Sequence, residues 1–134
     1  MKPPLLLDAS AVMAVLRREA GAEVVTAALA QRVCAVSSVT LTELEGKLVG
    51  KGEYTHGQVR AAWGQLAPFV AELPFDAACR ERSVFYYARK SPYNLSLGDA
   101  ACLGSAEAHG LDILTAERGW SLIPDLPVQV ELIR

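Results

Sequence analysis

Two rhythms of apolar residues alternate along this chain. Short unbroken apolar runs are each followed by a stretch in which apolar residues return every three or four positions. Leu5-Leu6-Leu7, ended at once by Asp8, predicts a buried strand. Residues 9–18 carry Val12, Val15 and Leu16 at helical spacing, and Gly21 restarts the pattern as a second helix over 22–31. A strand over 32–36 runs into Ser37-Ser38, either of which can cap a helix over 39–49 that Gly50-Lys51-Gly52 breaks. The next helix spans about 55–66 and stops before Pro68. A strand over 69–73 follows, then a helix from Asp76 to about Lys90, and a loop over 91–95. Ser96 caps a helix reaching His109, with Gly110 as its stop, and strands over 112–114 and 128–132 complete the pattern. Strands alternating with helices predict an α/β fold, a three-layer αβα sandwich around a central, mainly parallel sheet. With no linker, repeat or low-complexity tract, residues 1–134 read as one domain.

Composition narrows the function classes. Of 134 residues 51% are hydrophobic and 21% charged, which suits a packed core and excludes a disordered chain. Thirteen Lys and Arg against 15 Asp and Glu leave a formal charge of −2. Bulk positive charge is therefore not available to grip a nucleic acid, and a polyanionic ligand would need metal ions or a local basic patch. Cys34, Cys79 and Cys102 include no CxxC pair and read as small buried hydrophobes in a reducing, cytoplasmic setting. No run of 18 uncharged apolar residues exists, so no membrane span is expected, and Asp8 with Arg17-Arg18 argues against a signal peptide. Phosphate-binding glycine motifs are absent. A phosphatase of the haloacid dehalogenase type would need D-x-D where this chain has Asp8-Ala9-Ser10.

The predicted topology gathers acids that are scattered in sequence. Ligands of open parallel sheets bind beyond the carboxyl ends of the strands, where the following helices begin. Asp8 follows the first strand, Glu43 lies early in the third helix, Asp99 is in the first turn of the helix capped by Ser96, and Glu117 comes just after the strand ending at Leu114. Each has a local reading as well. Asp8 can cap a helix, Glu43 can pair with Lys47, Asp99 completes an S-x-x-D capping box, and Glu117 can pair with Arg118. Glu43 points away from the Leu41, Leu44, Leu48 stripe, whereas Glu45 falls near it and has no clear role. The helix behind Asp99 is uncharged from Ala100 to Ala106, as a helix buried in mid-domain would be, and no fixed cation lies nearby in sequence. Carboxylates about 4 Å apart repel by roughly 4 kcal/mol at an effective dielectric of 20, so such a cluster requires protons or cations. Hard oxygen ligands suit Mg²⁺ or Mn²⁺ rather than Zn²⁺.

Four segments, in order and at matching spacing, resemble the PIN-domain family. They are Leu5-Leu6-Leu7-Asp8-Ala9-Ser10-Ala11, Ser38-Val39-Thr40-Leu41-Thr42-Glu43-Leu44, Leu95-Ser96-Leu97-Gly98-Asp99-Ala100 and Ile113-Leu114-Thr115-Ala116-Glu117-Arg118. Within that family the chain is most similar to the VapC ribonuclease toxins of type II toxin–antitoxin pairs. The resemblance implies a Mg²⁺- or Mn²⁺-dependent endoribonuclease with Asp8, Glu43, Asp99 and Glu117 as catalytic and metal-binding acids. Ser10 and Thr115 match the polar residues that orient them. Glu117 stands where the family usually has Asp. That departure leaves a second reading open, a catalytically weakened PIN domain serving as a regulatory or protein-binding module.

The implied chemistry is in-line attack of a metal-activated water on RNA, leaving a 5′-phosphate and a 3′-hydroxyl, with Glu43 or Glu117 taking the proton. His56 and His109 are expected at the surface rather than in catalysis. Arg80, Arg82, Arg89 and Lys90 are candidates for positioning RNA, with Tyr86, Tyr87 and Tyr93 for stacking, against the plainer reading of a solvated helix face over core aromatics. Trp63 and Trp120 read as core or interface. The resemblance further implies a homodimer, a cognate antitoxin that fills the acidic groove, and no direct DNA binding by this chain alone.

Overall fold

The computed structural model describes residues 2–89 and 91–134. Five strands form one sheet: β1 (Leu5–Leu7), β2 (Cys34–Ser37), β3 (Ala71–Leu73), β4 (Asp112–Thr115) and β5 (Val130–Leu132). Their order is β3-β2-β1-β4-β5 and every pairing is parallel, with Leu6 opposite Ala35 on one side and Ile113 on the other. The connections carry helices α1 (Ala9–Arg17), α2 (Ala22–Gln31), α3 (Ser38–Gly50), α4 (His56–Leu66), α5 (Ala77–Ala88) and α6 (Leu97–His109).

Strand periodicity splits the core in two, because successive side chains leave a sheet on opposite faces. Leu5, Leu7, Cys34, Val36 and Leu114 pack with Val12, Val25, Leu44, Leu48 and Val59, under α1 to α4. Leu6, Ala35 and Ile113 face the other way, onto Tyr86 of α5 and Ala100, Cys102, Leu103 and Ala106 of α6. The predicted αβα sandwich is therefore realised, with a wholly parallel sheet. Leu5, Leu6 and Leu7 are each almost fully buried, a burial worth roughly 1.5–3 kcal/mol per side chain.

Local chemistry sets the helix ends. Ser37 caps α3 by accepting from Val39 N, Thr55 and Gln58 form a capping box on α4, and Ser96 with Asp99 forms another on α6. Gly110 ends α6 in the left-handed region at φ 65°. α6 is buried from Ala100 through Ala106, as its uncharged sequence requires. It packs tightly on α5 because Gly104 lacks a side chain: a Cβ there would run into the Ser83 hydroxyl and backbone.

Several predicted boundaries shift. β2 begins at Cys34 rather than at residue 32, because Arg32 still closes α2, its N–H bonding Ala28 O. Residue 69 belongs to a 3-10 turn, Ala67–Phe69, started by the Pro68 ring, so β3 is shorter than predicted. β5 starts at Val130 rather than at 128. The helix predicted to reach Lys90 ends at Ala88, and Lys90 itself lies outside the described residues. A second 3-10 turn, Arg118–Leu122, was not predicted.

Candidate active site

Asp8 leaves the carboxyl end of β1, the middle strand, and its backbone turns directly into α1. Its Oδ1 accepts from Ala11 N at 3.0 Å and from the Ser10 hydroxyl at 2.6 Å, and its Oδ2 accepts from the Thr115 hydroxyl at 2.7 Å. The capping bond expected of Asp8 is thus made by a carboxylate that also lines a cavity. Thr115 ends β4 and is itself fixed by Glu117 N, which donates to its Oγ1 at 2.9 Å, while Ala116 N donates to Ser10 Oγ at the same distance. These bonds tie the ends of two neighbouring strands together around one carboxylate. Asp8 is only 5% exposed. Burial pushes its carboxyl above the usual range, the three donors pull it partly back, and the charge of Glu117 pushes it up again.

Asp99 and Glu43 approach from two different helices. Asp99 Oδ2 accepts from Ser96 N at 2.9 Å, closing the capping box, and the residue lines the cavity. Glu43, one turn into α3, rests against Gly98 of α6, at a place where any Cβ on residue 98 would collide with its carboxylate. Its Oε2 also lies 3.8 Å from Lys47 Nζ, so the expected i,i+4 pair is present beside the cavity contact. Glu45, two residues further, turns to Arg60 and His56 of α4, and the hydrogen bonds from Arg60 and then His56 hold its carboxyl below the usual range. Helical turn geometry thus sends Glu43 toward α6 and Glu45 toward α4, both half-buried.

Asp8, Glu43, Asp99 and Glu117 all line one cavity of about 260 Å³ at the carboxyl edge of the sheet. Ser10 lines it too, and Thr115 stands behind Asp8. Cys102 reports the field inside: burial raises its thiol well above the ordinary value, and the charges of Asp8, Asp99 and Glu43 raise it further. Lining residues that sequence reasoning missed include Arg17, Arg134, Thr40 and Trp120. Only Lys47 had a sequence signal, its spacing from Glu43. Arg134 is remote in sequence and arrives through the β5 return, donating to Ala20 O at 2.6 Å. Arg17 is occupied by Glu53 at 3.4 Å. Among the described residues no Lys or Arg bonds Asp8 or Asp99, and Glu117 forms no ion pair with Arg118.

The sequence model of the PIN domain matches residues 5–126. The chain belongs to the PIN domain family. By sequence comparison with curated proteins, no relative is detected. Among solved structures, this PIN domain is similar in fold to VapBC2 from Rickettsia felis bound to a DNA fragment from its promoter. The TM-score is 0.76 at 14% identity, covering 96% of this chain and 98% of that one. It is also similar to VapBC-1 from nontypeable Haemophilus influenzae, with a TM-score of 0.73, 17% identity and coverage of 97% and 98%. VapC20 from Mycobacterium tuberculosis, described as a sarcin-ricin loop cleaving toxin, matches with a TM-score of 0.65, 18% identity and coverage of 81% and 86%.

In this PIN domain the four acids share a cavity without closing on one another. No three of them bring ligand atoms within 4.8 Å; among the described residues that spacing is met by Asp76, Cys79 and His109 instead. Of the basic residues suggested for RNA, Arg80, Arg82 and Arg89 are exposed on or just after α5. Tyr86 is a correction: it is 4% exposed and its hydroxyl donates to Glu107 at 3.1 Å, so it belongs to the core and offers no stacking face. Trp120 is buried, as expected, although it borders the cavity. No helix among the described residues is long and apolar enough to cross a membrane.

Proposed function

We propose that this PIN domain is an endoribonuclease that hydrolyses RNA phosphodiesters with Mg²⁺ or Mn²⁺ and acts as the toxin of a type II toxin–antitoxin pair. The observation that carries this reading is the meeting of Asp8, Glu43, Asp99 and Glu117 at one cavity in a chain of this family. Their donor atoms are all carboxylate oxygens, which fits a hard divalent cation. A buried carboxylate such as Asp8, with no cationic side chain bonded to it, also fits a site built for a positive ligand.

In this reading Asp8, Glu43 and Asp99 would hold the ion once their side chains turn toward one another across the cavity, and Glu117, one methylene longer than Asp, would extend the set. A bound Mg²⁺ or Mn²⁺ supplies an acidified water and stabilises charge on the phosphate oxygens. Ser10 and Thr115 keep the Asp8 carboxylate in one orientation. Glu43 or Glu117 accepts the proton of the attacking water. Arg17, Lys47 and Arg134 line the same cavity, and by releasing their present partners they would meet the phosphates of a bound strand, offsetting the acidity of the chain as a whole. The partners in this reading are a second copy of the chain and a cognate antitoxin, with DNA reached only through the antitoxin, in the cytoplasm.

A second reading, a catalytically weakened PIN domain with a regulatory or protein-binding role, is favoured by one observation. Glu117 is exposed, and its side chain carries no hydrogen bond among the described residues. One experiment separates the two. A panel of structured RNAs is incubated with Mg²⁺, Mn²⁺ or a chelator beside Asp8→Asn and Asp99→Asn. The nuclease reading expects cleavage with metal only, lost in both variants; equal cutting by all three proteins, or no dependence on metal, rejects it. Growth on expression of the chain, with and without the neighbouring small open reading frame, tests the toxin role.

A further inference from the structure

Away from the acidic cavity, the amino end of α5 meets the carboxyl end of α6. The two ends of α6 are far apart: Asp99 and His109 are separated by about 15 Å of helix. Asp76 caps α5, its Oδ1 accepting from Cys79 N at 3.1 Å. Cys79 is fully buried, with Sγ 3.9 Å from Pro74 O. His109, the last residue of α6, is exposed beside them. One carboxylate oxygen, the thiol sulfur and one imidazole nitrogen lie within 4.8 Å of one another. A tetrahedral ion with bonds of about 2.0–2.3 Å holds its ligands roughly 3.5 Å apart, so small side-chain rotations suffice to close this triad.

Each residue has a simple role alone. Asp76 caps a helix, and His109 sits well at a helix carboxyl end. Neither role explains why a thiol, a carboxylate and an imidazole from the ends of two different helices all lie within 4.8 Å of one another. Cys34 and Cys102, the other two cysteines, have no such company among the described residues.

We propose that Asp76, Cys79 and His109 form a second metal site, separate from the acidic cavity, that takes a borderline-soft divalent cation of the Zn²⁺ class and clasps α5 to α6. Sulfur, nitrogen and oxygen donors together select Zn²⁺ over Mg²⁺, the reverse of the preference of the all-carboxylate cavity. A thiolate, a carboxylate and a neutral imidazole balance the charge of a divalent ion, and the Cys79 proton is released to solvent on binding. Two of the three ligands are exposed, so the ion reaches the site from the surface and a water completes its coordination.

Cobalt(II) is the probe, because a thiolate–cobalt bond gives a near-ultraviolet charge-transfer band and tetrahedral cobalt gives visible bands. The full chain titrated with Co²⁺ is expected to show both, saturating near one ion per chain and bleached by Zn²⁺. Cys79→Ser abolishes the charge-transfer band. His109→Ala, at an exposed position that folding tolerates, weakens Co²⁺ binding about tenfold or more. Cys102→Ser and the double variant Asp8→Asn/Asp99→Asn leave the band in place. Zn²⁺ raises the thermal midpoint of the wild type and of that double variant. A chain with no band, a band that survives Cys79→Ser, or one that vanishes in Cys102→Ser overturns the proposal. Should Cys79→Ser fail to fold, His109→Ala decides, and unchanged affinity there overturns it as well. The readout needs no RNA cleavage, so it stands or falls apart from the nuclease reading.

Discussion

The carboxylate of Glu43 occupies the place where a side chain on Gly98 would begin. An acid from α3 is thereby admitted to the first turn of α6, where the helix amino terminus favours negative charge. Gly98→Ala is expected to displace Glu43 while leaving the fold intact, because the colliding atoms are the far end of a flexible side chain and alanine is the better helix former. Misplacing a reacting group by about 1 Å can cost roughly a hundredfold in rate. RNA cleavage should fall ten- to hundredfold with the thermal midpoint unchanged or slightly raised. Full activity in this variant would mean that the position of Glu43 is irrelevant to the chemistry.

Thr115 is fully buried and serves Asp8 and Glu117 N with one hydroxyl. Thr115→Val keeps the shape and removes that hydroxyl, leaving the buried Asp8 Oδ2 and the part-buried Glu117 N short of a partner at a cost of about 1–3 kcal/mol. Affinity for Mg²⁺ or Mn²⁺ should fall about ten- to hundredfold, and Thr115→Ser should restore most of it. Denaturant unfolding and metal titration of the three proteins test this, and a serine variant as weak as the valine one would contradict the positioning role.

Asp8 is expected to be a stability liability in the protein without metal. Its carboxyl is raised mainly by burial, so the native state holds its proton more tightly than the unfolded chain does. Stability is accordingly lost as pH rises from the ordinary carboxylate value through the raised one, and stays lost at neutral pH. Asp8→Asn removes that penalty and should raise the metal-free midpoint at pH 7, with a smaller gain at pH 4. Calorimetry in chelator at the two pH values checks the sign; a variant less stable at pH 7 would contradict it.

The Tyr86 hydroxyl is pushed up to about 12, chiefly by burial and then by the neighbouring charge of Glu107. Since the unfolded phenol ionises near 10, stability tied to this residue is complete below that value and drains away as pH rises toward 12. An absorbance titration of the folded protein should show one phenol ionising late, and Tyr86→Phe should remove that step. Loss of the Glu107 bond should cost about 1 kcal/mol at neutral pH.

Sequence patterning made the architecture legible because the sheet is buried on both sides, so its strands appear as short apolar runs and its helices as the periodic stretches between them. Ser37, Ser96 and Gly110 announce helix ends by local chemistry that tertiary packing does not override. Asp8, Glu43, Asp99 and Glu117 could be gathered at one sheet edge from topology alone. Arg17, Thr40 and Arg134 could not, since they reach the cavity through side-chain direction and through the last strand, neither of which has a periodic signature. For Tyr86 the sequence left two readings open, a stacking face and a core aromatic, for a related reason. On a helix rich in exposed Arg, a single aromatic turned inward differs from its neighbours only by the α6 surface it meets. The Asp76, Cys79 and His109 group was invisible because its members come from the opposite ends of two helices some thirty positions apart in sequence.

The middle place of β1 in the sheet governs how long its acid stays in position. Both edges of Leu5–Leu7 are bonded to neighbouring strands, whereas β3 and β5 are bonded on one edge only. Local opening starts at such margins and reaches the centre last. Deuterium uptake should therefore be slowest at the Leu6 and Leu7 amides, and the mounting of Asp8 should survive fluctuations that already unzip the outer strands.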